Sequence, residues 1–191
     1  MLGILETVQA WDDAAMALGE GLRWEPLTAF FAVTSAWWVK WPLFAAVGGL
    51  CDACERRRLP WAMSAALGAA AATGLAVTLV KETFDRVRPG IAEPGLDPVG
   101  VIPASASFPS GHSATAFATA AAVALFYPRL RVPLFALAAL VALSRVYLGM
   151  HYATDVLIGS ALGAAIGLAT GWLVLRVARR PRGRGPRPAT P

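Results

Sequence analysis

Two histidines are the residues best suited to chemistry in this chain, and both lie in polar clusters. His112 occurs in the stretch FPSGHS, residues 108–113, and His151 in SRVYLGMHYATD, residues 144–155. A third cluster, KETFDRVRP at residues 81–89, adds cations. Serine, glycine, lysine and arginine beside histidine are typical of sites that bind oxyanions. The three clusters therefore indicate displacement at a tetrahedral oxyanion, where catalysis rests on positioning and charge stabilisation.

The cluster at residues 81–89 supplies two cations for such a site. Lys81 and Arg88 are seven residues apart, so on a continuing helix they would share a face, about 10 Å apart along the axis. Pro89 disfavours a helical conformation at Arg88, which predicts a break there. The alternative interpretation is that both side chains snorkel to the membrane interface.

The cluster around His112 reads as a helix start that can bind an anion. Ser110 is a plausible N-cap, and Gly111 lets the backbone approach a ligand closely. The free N–H groups at a helix N-terminus attract anions, so His112 would lie beside a bound anion in the first turn. A serine-glycine helix start with a chance histidine is the alternative.

The cluster around His151 contains a cation, a turn and a carboxylate. Arg145 is predicted near the end of a span, and a tight turn at Gly149 leads to His151. Asp155 follows His151 by four residues, so on a helix its carboxylate would stack beside the imidazole. This contact would fix the tautomer and leave the other ring nitrogen nucleophilic. A purely structural His–Asp pair is the alternative.

No group of carboxylates in the sequence suggests a divalent metal, so we predict metal-independent chemistry without a cofactor. Cys51 and Cys54 form a single C-x-x-C, too few ligands for a structural zinc site. Lys40 is unusual inside a predicted span, and we interpret it as inward-facing or snorkelling rather than catalytic.

The elements that carry these clusters are predicted to span a membrane. Of the 191 residues 57% are hydrophobic and 15% are charged, which is too apolar for an ordinary soluble domain. We predict an all-α integral-membrane helical bundle with five transmembrane helices, at residues 26–50, 61–80, 110–127, 132–147 and 152–175. The acidic segment 1–21 is predicted to form an amphipathic helix at the membrane interface.

Positive charge orients the bundle, because basic residues near span ends mark the cytoplasmic side. Most of the 17 basic residues fall in the first and third connections and in the tail. We therefore predict a cytoplasmic C-terminus and an extracytoplasmic site. The predicted organisation is an interfacial segment (1–25), a transmembrane domain (26–176) and a disordered basic cytoplasmic tail (177–191). Topology accounts for the net charge of +5, so no nucleic-acid partner is predicted.

The combined pattern K-x6-R-P, P-S-G-H and S-R-x5-H-x3-D resembles the type 2 phosphatidic acid phosphatase (PAP2) superfamily. Every position of the three motifs is matched, by Lys81, Arg88, Pro89, Pro109, Ser110, Gly111, His112, Ser144, Arg145, His151 and Asp155. The resemblance implies a small bacterial phosphatase of the cell membrane, with its site at the extracytoplasmic surface.

The resemblance also implies roles for the residues. His151 would attack phosphorus and become phosphohistidine, oriented by Asp155, while His112 would protonate the leaving oxygen and later activate water. The phosphoryl oxygens would be held by Lys81, Arg88, Ser110, Gly111 and Arg145. Arg86, at a variable motif position, is assigned at most a headgroup contact.

The implied substrate is a lipid phosphate or diphosphate, such as a polyprenyl diphosphate, phosphatidylglycerophosphate or phosphatidic acid, and the residues do not choose among them. Two alternatives stay open. A phosphotransferase would pass the phosphoryl group to a hydroxyl instead of water, and a non-catalytic membrane protein would only bind a lipid phosphate.

Overall fold

The computed structural model describes residues 2–56, 59–93 and 95–179, and over these ranges the chain is helical with no strand. The helices are, in order, α1 Leu2–Gly21, α2 Glu25–Thr34, α3 Trp37–Lys40, α4 Pro42–Cys54, α5 Trp61–Thr83, α6 Pro89–Ala92, α7 Gly111–Phe126, α8 Arg131–Tyr147 and α9 Ala153–Ala178. A 3₁₀ turn, Pro128–Leu130, leads into α8. The all-α fold class is confirmed.

Three stretches of the described chain are long and apolar enough to cross a membrane: Trp61–Thr83, Pro128–Tyr147 and Ala153–Ala178. Pro42–Cys54 and Gly111–Phe126 are shorter apolar helices. The last four predicted spans each correspond to one helix, with ends shifted by a few residues. The basic tail predicted at 177–191 lies outside the described residues from position 180 onward.

The first predicted span, residues 26–50, is not one continuous helix, so this prediction was wrong. It is divided into α2, α3 and α4, with α3 only four residues long. Pro42 lacks a backbone N–H and disfavours the α conformation at the preceding residue, and Trp41 has φ −142°. The break places Ser35 and Lys40 inside the bundle rather than on a regular helical face.

Helix α7 is the central element, and α9 packs along it through small residues. Gly159, Gly163, Gly167 and Gly171 are all buried on one face of α9. A Cβ at Gly163 would lie 1.9 Å from the carbonyl oxygen of Ala114, and one at Gly167 would lie 2.1 Å from that of Ala118. Close packing by small residues therefore extends along all four glycines.

The bundle has two chemically different ends. Helices α5 and α8 end, and α7 and α9 begin, at the end that carries the three polar clusters. At the opposite end the buried Asp52 accepts a 2.8 Å hydrogen bond from the backbone N–H of Ala62 and one of 2.8 Å from the Tyr127 hydroxyl. Asp52 thus joins α4 to the first turn of α5 and to the end of α7.

Candidate active site

A cavity of about 250 Å³ lies where the three polar clusters meet. Residues separated by as many as 111 positions in sequence line it together. Its walls are formed by Lys40, Gly74, Val77, Lys81, Arg88, Pro103, Ser105, Gly111, His112, Thr115, Arg145 and His151. Six of the eight residues singled out from the sequence line this cavity. The other two, Ser110 and Asp155, are fully buried behind it.

His151 lies in the turn between α8 and α9, and its two ring nitrogens face different partners. Nε2 is 3.1 Å from an Nη1 donor of Arg88, while Nδ1 is 3.4 Å from the Ser107 hydroxyl. Because Arg88 can only donate, Nε2 must accept, and the proton is assigned to Nδ1. The nitrogen that faces the cavity therefore carries a free electron pair in its neutral tautomer.

Asp155 lies beside the imidazole as predicted, but not on a shared helical face. α9 begins at Ala153, so His151 precedes the helix, and the Nδ1 to Oδ2 distance is 3.6 Å, longer than a normal hydrogen bond. The Ser107 hydroxyl donates to Asp155 and lies within reach of Nδ1. Asp155 also accepts the backbone N–H of Tyr152 at 3.1 Å, as an acidic residue in a first helical turn can. Ser107 thus links Asp155 to His151.

The environment of His151 keeps the imidazole neutral. Burial, together with the positive charges of Arg88 and Arg145, lowers the pKa of His151 to about 4, although the Asp155 carboxylate opposes the shift. A neutral imidazole at physiological pH is the form that can act as a nucleophile.

Arg88 is held by hydrogen bonds to the protein, and its position differs from the helical one that the sequence predicted. α5 ends at Thr83 and residues 84–88 are not helical, so Lys81 and Arg88 do not share a helical face. Pro89 begins α6 with Arg88 as its N-cap. All five guanidinium N–H donors have protein partners: the Ser105 carbonyl, the Met150 carbonyl, His151 Nε2, the Ser105 hydroxyl and the Ala106 carbonyl. A phosphate at Arg88 would have to replace one of them.

Lys81 and Arg145 reach the cavity from α5 and α8. The Lys81 ammonium donates to the carbonyl of Ala106 and lies 3.4 Å from that of Ser107. Arg145 donates to the Ser35 hydroxyl at the break after α2, and its buried Nε has no hydrogen-bond partner among the described residues. Arg145 therefore has a donor left for a bound anion.

The start of α7 forms as predicted around Ser110. This residue is the N-cap, and its hydroxyl accepts from the backbone N–H of Ser113 at 3.5 Å and from the Ser113 hydroxyl at 2.9 Å. Gly111 and His112, the first two helical residues, face the cavity. A contact of the Ser110 hydroxyl with phosphate stays a prediction, because that hydroxyl is buried and engaged in capping.

Asp12 on α1 was missed by sequence reasoning. It is fully buried and forms an ion pair with Arg86 at 2.7 Å. It also accepts hydrogen bonds from the Thr154 backbone N–H at 2.8 Å and from the Thr154 hydroxyl at 2.6 Å. Arg86 bridges to Asp155 at 2.7 Å. Although burial opposes it, the two carboxylates raise the pKa of Arg86. Arg86 therefore joins α1 to the carboxylate behind the cavity, and its headgroup contact stays a prediction.

Sequence signals for these additional residues are weak. Asp12 sits among other acidic residues of an amphipathic helix, and Ser107 precedes the PSGH motif by two residues. Among the described residues no group of three or more His, Cys, Asp or Glu is arranged to hold a metal ion. Metal independence stays a prediction.

A helical bundle with membrane-length helices and a histidine- and arginine-lined cavity at one end defines a class of membrane phosphoryl-transfer proteins. The PAP2 superfamily model matches residues 61–179, which include all three motifs. The chain belongs to the PAP2 superfamily.

The relatives are phosphatases by name. A Rhizobium johnstonii lipid A 1-phosphatase is 41% identical over 51% of this chain, and the match covers 42% of that protein. A Mycobacterium tuberculosis decaprenylphosphoryl-5-phosphoribose phosphatase is 38% identical over 68% of each chain. The crystal structure of a Bacillus subtilis transmembrane PAP2-type phosphatidylglycerolphosphate phosphatase superposes with a TM-score of 0.74 at 28% identity, over 91% of this chain and 89% of that one.

Proposed function

We propose that this chain is an integral-membrane lipid phosphatase that hydrolyses a lipid phosphate or diphosphate through a phosphohistidine intermediate at the extracytoplasmic face. One observation carries the proposal: His112 and His151 line the same small cavity as three cations, Lys81, Arg88 and Arg145. Two histidines provide a nucleophile and a proton donor, and the cations match the charge of a phosphoryl group.

In the first step, the Nε2 electron pair of His151 attacks phosphorus in line with the bond to the lipid oxygen. The N–P bond forms as the P–O bond breaks. His112, which the negative charge of the bound phosphate keeps protonated, gives its proton to the departing oxygen. The Nδ1 proton stays directed at Ser107 and Asp155, which stabilise the charge that develops on the imidazole.

In the second step, water attacks the phosphorus of the phosphohistidine from the side that the lipid has left. His112, now neutral, accepts the water proton as the new P–O bond forms and the N–P bond breaks. The products are inorganic phosphate and the lipid alcohol or monophosphate, and both histidines return to their starting forms.

The distribution of charge supports an extracytoplasmic site. The described arginines that flank spans away from the site, Arg56, Arg129, Arg131, Arg176 and Arg179, are in the connections or helix ends at the opposite end of the bundle. Positive residues near span ends mark the cytoplasmic side. The cavity then opens on the other side, where α1 lies.

Phosphate release by the purified protein from lipid phosphates tests this proposal. We expect release to continue with excess chelator, and His151→Asn to lose more than about a thousandfold in kcat. His112→Asn should lose roughly 100- to 10,000-fold. Because His112 also serves the second step, this variant should accumulate acid-labile, alkali-stable phosphoprotein from labelled substrate.

Three outcomes would contradict parts of the proposal. Activity abolished by chelator would overturn the metal-independent step, and no labelled protein in any variant would overturn the covalent intermediate. A candidate hydroxyl acceptor that captures the phosphoryl group at the expense of free phosphate would show phosphotransfer instead. Intact activity in both histidine variants would leave only a lipid-phosphate-binding role.

A further inference from the structure

We infer that Lys40 forms a second anion subsite beside the active site, and that it selects lipids carrying a second phosphate between the cleaved phosphate and the lipid anchor. This inference rests on the proposed function and specifies the substrate class of the same site. It begins from a residue outside the three motifs: Lys40 lines the same cavity as both histidines.

The interruption of the helix between α3 and α4 brings Lys40 to the cavity. Lys40 is the last residue of α3, and its carbonyl oxygen lies 3.4 Å from the Thr119 hydroxyl on the central helix α7. The positive charges of Lys40 and Arg145 lie close enough to repel each other, and both residues line the cavity that also contains His112. A half-buried lysine packed against the central helix of a membrane bundle is costly, which favours a functional reason for its position.

The charge of the cavity exceeds what one phosphate monoester requires. Lys40 joins the three motif cations in the lining, and that lining includes no carboxylate. Asp155 is fully buried behind the cavity and paired with Arg86. A phosphate monoester carries about −1.5 to −2 charge at neutral pH. A second phosphate in the ligand would balance the remaining positive charge.

A second cavity of about 350 Å³ continues from Lys40 along α5. The two cavities share Lys40, Gly74 and Thr115. The rest of the second lining is mainly apolar: Trp41, Leu67, Ala70 and Ala71. Together the two cavities extend along α5 from Lys81 to Leu67, a distance of 14 residues. This is roughly 21 Å along the helix axis, which reaches well into a hydrocarbon layer. Leu67 is 43% exposed on the bundle surface, so this groove opens towards lipid.

The order of these features gives the orientation of the substrate. The cleaved phosphate lies at His151, the leaving oxygen at His112, and the apolar groove accommodates the lipid chain. Lys40 stands between His112 and the groove, where the part of the substrate next to the leaving oxygen must pass. A second phosphate at this point is either bonded directly to the first, as in a lipid diphosphate, or joined through a short polar linker.

Three lipids with the same diacylglycerol anchor test the inference. Phosphatidic acid has one phosphate, diacylglycerol diphosphate has two joined directly, and phosphatidylglycerophosphate has two joined through glycerol. The measurement is kcat/KM for release of the terminal phosphate. We expect the wild-type protein to prefer at least one two-phosphate lipid, and Lys40→Gln to lower kcat/KM for it roughly ten- to hundredfold. Phosphatidic acid should lose clearly less than the two-phosphate lipids, because it lacks the second phosphate and feels the lost charge only through the cavity that Lys40 shares with His112.

Lys40→Arg keeps the charge and should keep most of the preference, while Arg129→Gln, an exposed residue at the opposite end, should change nothing. Equal loss on all three lipids, no loss on any, or a wild-type preference for phosphatidic acid would overturn the subsite. Release from none of the lipids by wild-type protein would instead contradict the proposed function.

A measurement on the wild-type protein alone tests the inference without depending on the folding of a variant. Inorganic pyrophosphate should inhibit hydrolysis at a concentration at least about tenfold lower than orthophosphate, because it can occupy both subsites. Equal inhibition by the two anions would also overturn the inference.

Discussion

The hydrogen bonds of one imidazole define what His151 can do. Arg88 donates a hydrogen bond to Nε2 from the cavity side. On the protein side, the Ser107 hydroxyl oxygen accepts a hydrogen bond from the Nδ1–H group. These contacts select the tautomer whose electron pair faces the substrate. When phosphate binds, its oxygens can replace Nε2 as the acceptor for Arg88, which would release the nucleophile at the moment it is needed.

The titration of His151 can be measured directly, because His112→Asn leaves it as the single histidine in a chain that has two. We expect the imidazole NMR signals of this variant, purified without a histidine tag, to titrate with a pKa near 4 instead of 6.5. Between these values the unfolded chain binds a proton that the folded chain does not, so stability should fall as pH drops from about 6.5 to about 4. A measured pKa above 6 would contradict the buried, neutral site.

Helices α7 and α9 pack so closely that larger side chains would not fit between them. Both helices begin at the site, and α9 directly follows the turn that holds His151. The backbone of Ser110 donates a 3.0 Å hydrogen bond to the carbonyl oxygen of Asp155, which joins the first turns of the two helices. A shift of either helix would therefore move His112 relative to His151.

Gly163→Ala tests this close packing. Its Cβ would lie 1.9 Å from the Ala114 carbonyl oxygen, so the helices must separate. Overpacking of this kind costs about 1–3 kcal/mol or more, and we expect the apparent Tm in detergent to fall by roughly 5–10 °C, with loss of activity. Gly68→Ala on α5 is the matched control, since nothing lies within 4 Å of its added Cβ. Equal behaviour of the two variants would contradict tight packing between α7 and α9.

Helix α1 lies outside the part of the chain that matches the PAP2 model, yet it contacts the site through a charge. Asp12 pairs with Arg86, and Arg86 pairs with Asp155. The Arg86 guanidinium also lies 3.9 Å from the centre of the Tyr152 ring. α1 is therefore connected to the carboxylate behind the nucleophile.

Asp12→Asn removes one charge from this network while keeping the size of the side chain. Because Arg86 would then be neutralised by Asp155 alone, we expect kcat to fall about tenfold with little change in KM. The exposed neighbour provides a matched control, and Asp13→Asn should retain full activity. Kinetics of both variants on one lipid phosphate check this. Equal activity of Asp12→Asn and wild-type protein would confine α1 to a role in membrane contact.

For the whole molecule, we predict that the two ends of the bundle lie on opposite sides of the membrane. Cys54 is exposed at the arginine-rich end, and Val101 is 90% exposed in the connection at the site end. In intact cells, a membrane-impermeant maleimide should label Val101→Cys in a background with Cys51→Ser and Cys54→Ser. The native Cys54 should react only after the membrane is opened. The reverse pattern would place the site in the cytoplasm.

The sequence by itself determined what depends on local spacing and composition. Apolar stretches of membrane length predicted the last four helices, since burial in hydrocarbon requires few charges and complete backbone hydrogen bonding. The three motifs identified six of the twelve residues that line the cavity, because the PAP2 pattern specifies their types and order. Pro42 was a signal for the break in the first span that sequence reasoning overlooked.

Only the tertiary structure decided which residues become partners over long distances in the chain. Asp12 pairs with Arg86 across 74 positions, and Ser35 accepts from Arg145 across 110. Lys40 reaches the cavity because a broken helix turns it inward. Such contacts depend on the rotation and crossing of packed helices, which the periodicity of a single segment does not specify.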